Sequence, residues 1–248
     1  ERLGVPADAP ALDVEVVGDE LELAWDVALT PEGTVLVTER GGRLLAHDEQ
    51  GTREVAADLD DLFVGSEAGL MGLEVSPDFG RTREIFLCHA TRTGDGRPQD
   101  VRVTRWRLDE DAAAAERTGT VVDGLPISSG RHSGCRLRFA PDGTLRVGTG
   151  DAAVGTNPRR LTSLNGKVLR LHARTGEPWP SNPWAGSRNR NKRYVLTYGH
   201  RNVQGLAFDT DGDRFQLTTS RPLWSTRRCA TRSLTWAVSM NLKPPILM

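Results

Sequence analysis

The chain has 248 residues, a formal net charge of −1 at pH 7, and 38% hydrophobic against 26% charged residues, the balance of a globular domain. That charge gives no electrostatic reason to expect a nucleic-acid or anionic-membrane partner. No apolar run approaches the roughly 18 residues that a membrane-crossing helix needs. The basic residues are 29 Arg and three Lys (Lys167, Lys192 and Lys243), which reads as coding bias and not as a phosphate-binding patch. Cys88, Cys135 and Cys229 are far apart and odd in number, so packed or surface thiols are expected. The chain opens on Glu1 without a signal-peptide pattern, compatible with a mature secreted form or with a fragment.

From the N-terminus, an apolar stretch at 27–29 meets Thr30-Pro31-Glu32-Gly33 and resumes at 34–37. Proline presets φ, the acidic side chain bonds back to the backbone, and glycine takes the positive φ, which predicts a hairpin. Residues 43–48 predict the next strand. A second copy runs through 73–75, Ser76-Pro77-Asp78 and 84–87, followed by a strand at 101–108. Residues 109–117 are the only segment that predicts a helix, a short one. The third copy is 137–139, Ala140-Pro141-Asp142-Gly143 and 144–147, with a further strand at 167–172. A fourth begins at 206–208 and turns at Asp209-Thr210-Asp211-Gly212.

The repeat anchors Pro31, Pro77, Pro141 and Thr210 are spaced 46, 64 and 69 residues. A four-stranded propeller blade takes about 40–50 residues before loop insertions. An all-β propeller with about three blades and the start of a fourth is therefore expected, its core domain at 1–216. All 33 acidic residues precede Leu217, and residues 217–248 show neither turn punctuation nor strand alternation. We expect 217–248 to be an aberrant, frame-shifted or divergent segment.

Three Gly-rich polar stretches each enter a predicted strand: Gly65-Ser66-Glu67-Ala68-Gly69, Gly130-Arg131-His132-Ser133-Gly134, and Gly199-His200-Arg201-Asn202-Val203-Gln204-Gly205. Converging loops on one propeller face make a small-molecule site. Imidazole suits proton abstraction near neutral pH, which singles out His132. The hairpin after it ends at Gly148-Thr149-Gly150-Asp151, so Asp151 returns to the end where His132 lies and is placed to orient the ring. Arg201 brings a fixed cationic fork, and Asn202 and Gln204 bring amides, suited to a polyoxygenated, anionic ligand. For each cluster, an ordinary polar loop bonded to its own backbone is the competing reading.

The ordered set of motifs resembles the pyrroloquinoline-quinone-dependent glucose/sorbosone dehydrogenase family. It runs Trp25-Asp26-Val27-Ala28-Leu29, Thr38-Glu39-Arg40-Gly41-Gly42, Gly69-Leu70-Met71-Gly72-Leu73, then the His132 to Asp151 hairpin, Leu164-Asn165-Gly166-Lys167, and Gly199 to Gly205. The resemblance covers about residues 14–216. It implies a six-bladed propeller that oxidises an aldose sugar at its anomeric carbon with pyrroloquinoline quinone and calcium. It further implies a periplasmic or extracellular setting and an electron acceptor of unknown identity. His132 would be the base and Asp151 its support, while Arg201, Asn202 and Gln204 would contact the cofactor. Glu67 stands where some members have Gln near the cofactor. No calcium-binding loop is visible in this chain, and its metal ligands are unknown. The alternative is a truncated propeller that binds a ligand or partner and catalyses nothing.

Overall fold

The computed structural model describes Val16, residues 20–208 and the strand at 215–219. The first blade is a meander of β1 (Ala24–Leu29), β2 (Val35–Glu39), β3 (Leu44–Asp48) and β4 (Gly51–Glu54), paired antiparallel in that order. The second has five strands. β6 (Leu70–Val75), β7 (Glu84–Arg92), β8 (Pro98–Leu108) and β9 (Ala114–Leu125) are antiparallel, and β5 (Ala56–Ala57) adds to β9 in parallel. The third is β10 (Gly134–Phe139), β11 (Leu145–Thr149), β12 (Lys167–Leu171) and β13 (Val195–Tyr198). β14 (Val203–Phe208) and β15 (Phe215–Thr219) form the first hairpin of a fourth. Three blades and the start of a fourth is the count that the repeat spacing predicts. The turn expected at 209–212 and residues 220–248 of the expected divergent segment lie outside the described residues.

The innermost strands β1, β6, β10 and β14 pack on one another in sequence order, as they must around a propeller axis. Apolar residues on both faces of a strand then go to different neighbours. In β7, Ile85 and Leu87 join Leu36, Leu44, Phe79 and Trp106 in the core shared with blade one, whereas Phe86 and Cys88 join Leu137, Val147 and Leu169 in the core shared with blade three. Val168, Val203 and Leu206 start a third such core. This explains the nearly continuous apolar runs that the sequence shows at 84–90: alternate residues face different blades, and both faces are covered. Each large side chain so buried contributes about 1.5–3 kcal/mol.

Three expectations need correction. Residues 109–117 are not helical: 114–117 begin β9, whose pairing with β8 overrides the local alanine content, and Ala112 turns at a φ of 49°. The second hairpin turns through a short helix α1 (Phe79–Thr82), which seats Phe79 in the core. A further short helix, α2 (Arg190–Tyr194), precedes β13. Cys88 and Cys135 are not free thiols but a disulfide between β7 and β10, with Cα atoms 6.0 Å apart, within the usual disulfide span. Cys229 lies outside the described residues.

Candidate active site

The bulge between Gly134 and Arg136 ends the regular β10–β11 ladder just where His132 and Asp151 emerge. As the hairpin predicts, His132 Nδ1 lies 2.8 Å from Asp151 Oδ1, and both residues are buried. A second contact fixes the carboxylate, since Asp151 Oδ1 also accepts from the Ala153 N–H at 2.8 Å. The backbone around the pair is held in the left-handed region: φ is 54° at His132, 78° at Cys135, 55° at Ala152 and 59° at Ala153. Such conformations cost roughly 1–3 kcal/mol each and persist only where neighbours over-determine them.

The neighbours are the other two Gly-rich entrances. Glu67 Oε2 accepts from the His132 backbone N–H at 3.1 Å and from Asn202 Nδ2 at 2.9 Å. The Asp151 N–H donates to the Arg201 carbonyl at 2.7 Å, and Gly150 pairs with Asn202 in an isolated bridge. A Cβ on Gly150 would overlap the His132 carbonyl oxygen, so only glycine allows this approach. Five of the six residues singled out in the sequence, Glu67, His132, Asp151, Arg201 and Asn202, are thus in one hydrogen-bonded rim built by blades two, three and four. Gln204 is not in that bonded set. It sits in β14, and its backbone carbonyl accepts from Arg136 Nε at 2.8 Å.

Two supporting residues were not picked out for a role. Asn165 Nδ2 donates to the Gly150 carbonyl at 3.0 Å and to the Pro126 carbonyl at 2.8 Å, holding the turn before Asp151. Lys167 is buried and donates Nζ to the carbonyls of Asn157, Pro158 and Asn165 at 2.9, 3.1 and 2.6 Å. Burial lowers its amine to about 8. Their only sequence signal is the Asn165-Gly166-Lys167 motif itself, since nothing in its local pattern points back across to Gly150.

His132 is distinguished from the other buried histidines by its partner. Burial, and then Lys167, lower His200 to about 4, and its ring nitrogen faces the Thr197 hydroxyl at 2.8 Å. Burial likewise lowers His89 to about 4, against the Thr104 hydroxyl at 3.1 Å. Both are neutral near pH 7 and bonded to hydroxyls, whereas His132 is bonded to a carboxylate. A carboxylate on Nδ1 keeps the proton there and leaves the Nε2 lone pair for another molecule.

Residues 21–219 match the family described as Glucose / Sorbosone dehydrogenase. The aldose sugar dehydrogenase YliI of Escherichia coli K12 is 31% identical over 205 residues, covering 81% of this chain and 54% of the relative. A putative oxidoreductase (glucose dehydrogenase) of Thermus thermophilus superposes with a TM-score of 0.75 at 34% identity over 83% of this chain and 60% of that one. The aldose sugar dehydrogenase of Streptomyces coelicolor in its PQQ-bound form gives a TM-score of 0.72 at 30% identity over 82% of this chain and 58% of that one. The chain thus spans about half the length of the curated relatives it matches, over the part that holds the rim just described, and it belongs to the glucose/sorbosone dehydrogenase family.

Proposed function

We propose that this chain carries the proton-abstracting side of an aldose dehydrogenase site, in which His132 removes the proton of the anomeric hydroxyl. The observation that carries this reading is the buried His132–Asp151 pair, 2.8 Å apart on a rim of three converging loops. Asp151 fixes the ring so that Nε2 faces the substrate. As the hydroxyl proton reaches Nε2, the carboxylate offsets the positive charge that develops on the imidazole. Burial of both groups excludes water from the transfer and strengthens that interaction. Bound pyrroloquinoline quinone would supply the two-electron acceptor for the C1 hydride, leaving the sugar as its lactone.

The donor set fits part of such a cofactor. The Arg201 guanidinium and the Asn202 and Gln204 amides are N–H donors suited to the carbonyl and carboxylate oxygens of an anionic quinone, and they are the residues that would hold it. Glu67 does not fit as a donor; its oxygen faces two N–H groups of the protein itself. For calcium the described residues do not fit: among them no group of three or more His, Cys, Asp or Glu is placed to hold a metal ion. A periplasmic or extracellular setting is part of the proposal, and the Cys88–Cys135 disulfide supports it, since such bonds persist in oxidising compartments.

The test is titration of the full chain with the quinone, followed by dye reduction with glucose and other aldoses in the presence of calcium. His132→Ala should lower turnover by about 10²–10⁴-fold while quinone binding persists. Turnover that survives the substitution sinks the assigned base. A chain that binds no quinone at high concentration favours the non-catalytic propeller instead.

A further inference from the structure

We infer that Glu67 is a positioning residue that holds the His132 backbone in its left-handed conformation, and not a contact of the cofactor or the sugar; this rests on His132 being the base. The His132 peptide is gripped at both ends. Its N–H donates to Glu67 Oε2 at 3.1 Å, and its carbonyl accepts from the Ala152 N–H at 3.2 Å. The ring is fixed separately by Asp151. Glu67 is the member of this set that comes from another blade, so it sets where the β10 loop sits relative to blade two. The same oxygen takes Asn202 Nδ2 from the start of blade four at 2.9 Å, which ties three blades through one atom.

The loop carrying Glu67 is built to deliver it. Ser66 turns at a φ of 55°, and Gly65 and Ala68 exchange backbone hydrogen bonds in a tight turn at 3.2 and 3.0 Å. Gly130 comes so close to the Gly65 carbonyl that a Cβ would overlap it, so the two entrance loops meet backbone to backbone beside the carboxylate. A buried peptide N–H that lost its acceptor would be left unsatisfied, and the left-handed φ would lose one of its two backbone restraints. An acceptor oxygen at this reach is required, and a negative charge is not. Glutamine supplies the oxygen without the charge. Aspartate supplies the charge one methylene short, and leucine supplies neither.

The experiment is amide hydrogen exchange of the full chain without cofactor, read on the peptide spanning 130–135, in Glu67→Gln, Glu67→Asp and Glu67→Leu. The wild type and E67Q should keep the His132 amide protected. E67D and E67L should exchange it at least tenfold faster. E67D keeps the charge and most of the volume, so it reports even where E67L does not fold. In the quinone-loaded chain, E67D should lower kcat at least tenfold with quinone Kd and sugar KM within about twofold. Unchanged exchange in E67D overturns the inference, and so does weakened quinone or sugar binding with exchange left as in the wild type. A wild-type chain that neither binds quinone nor oxidises aldoses sinks the functional reading, while the exchange series still decides what Glu67 does.

Discussion

Two regions along the same inner strands are stabilised in opposite ways. At the rim, Glu67, His132, Asp151 and Asn202 meet through hydrogen bonds on a strained backbone. Further along, Asp26 of β1, Glu74 of β6 and Arg136 and Arg138 of β10 form an ionic cluster in which Asp26 and Arg136 are buried and Glu74 and Arg138 half-buried. Arg136 is ion-paired to Asp26, stacks 4.5 Å above the Trp25 ring, and donates to the Gln204 carbonyl of β14. Asp26 Oδ2 accepts from the Leu73 N–H at 3.0 Å, and Arg138 pairs with Glu74 at 2.8 Å. Both regions join the inner strands of several blades. The first uses atoms whose exact placement matters for chemistry. The second centres on the buried Asp26–Arg136 charge pair, whose long reach tolerates small shifts but whose breakage is costly. The difference separates where this molecule keeps its geometry from where it keeps its stability.

Breaking the ionic region should cost the most. Asp26→Ala leaves the Arg136 guanidinium buried without its ion pair and should lower stability by about 3–5 kcal/mol, read as a fall in the urea midpoint. A midpoint within error of the wild type would mean that the cluster does not bind the blades together. The Cys88–Cys135 disulfide sits between the two regions and closes a separation of 47 residues. Reduction should cost about 2–4 kcal/mol, and a peptide map without reductant should show the link. At the rim, Asp151→Asn should lower turnover about a hundredfold while the melting temperature stays near that of the wild type. An equal loss in both would place Asp151 with the structural region.

The smallest effect distinguishes the regions by pH. Burial pushes the Glu74 carboxyl from 4.5 up to about 7, despite the Arg138 guanidinium beside it. The folded state therefore holds this proton more tightly than the unfolded chain. That contribution is complete below about pH 4.5 and is lost as pH rises to about 7. Glu74→Gln should flatten the fall in unfolding free energy, read from urea titrations, by about 1–3 kcal/mol over that window. Identical pH slopes for the two proteins would remove Glu74 from the account.

The fold was legible where turn chemistry is local. Pro31-Glu32-Gly33 and Pro141-Asp142-Gly143 each close a hairpin whose flanks are the predicted strands. The pairing of His132 with Asp151 followed from that same local logic, because the two residues flank one hairpin. What sequence reading missed depends on blades meeting. The disulfide joins strands of different blades, and no spacing rule reports that contact. Glu67 and Asn202 are 135 positions apart and meet only because β6, β10 and β14 are neighbours at the axis. Residues 109–117 failed for a related reason: the pairing of β9 along β8 overrode a weak local preference.

Two glycines where blades meet, Gly72 of β6 and Gly148 of β11, carry a consequence for anyone who would rebuild this molecule. At Gly72 the place of a side chain is taken by the Cys135 carbonyl, and at Gly148 by the Val203 side chain of the following blade. At Gly72 the spacing between blades two and three is therefore set by main chain lying against main chain, and no larger residue fits there, whereas at Gly148 it depends on the Val203 side chain. The cores between blades can drift through compensating changes of volume. A blade transplanted from a distant relative can have its oily faces repacked to fit, but at the Gly72 position it must arrive with bare backbone or it cannot approach its neighbour as closely.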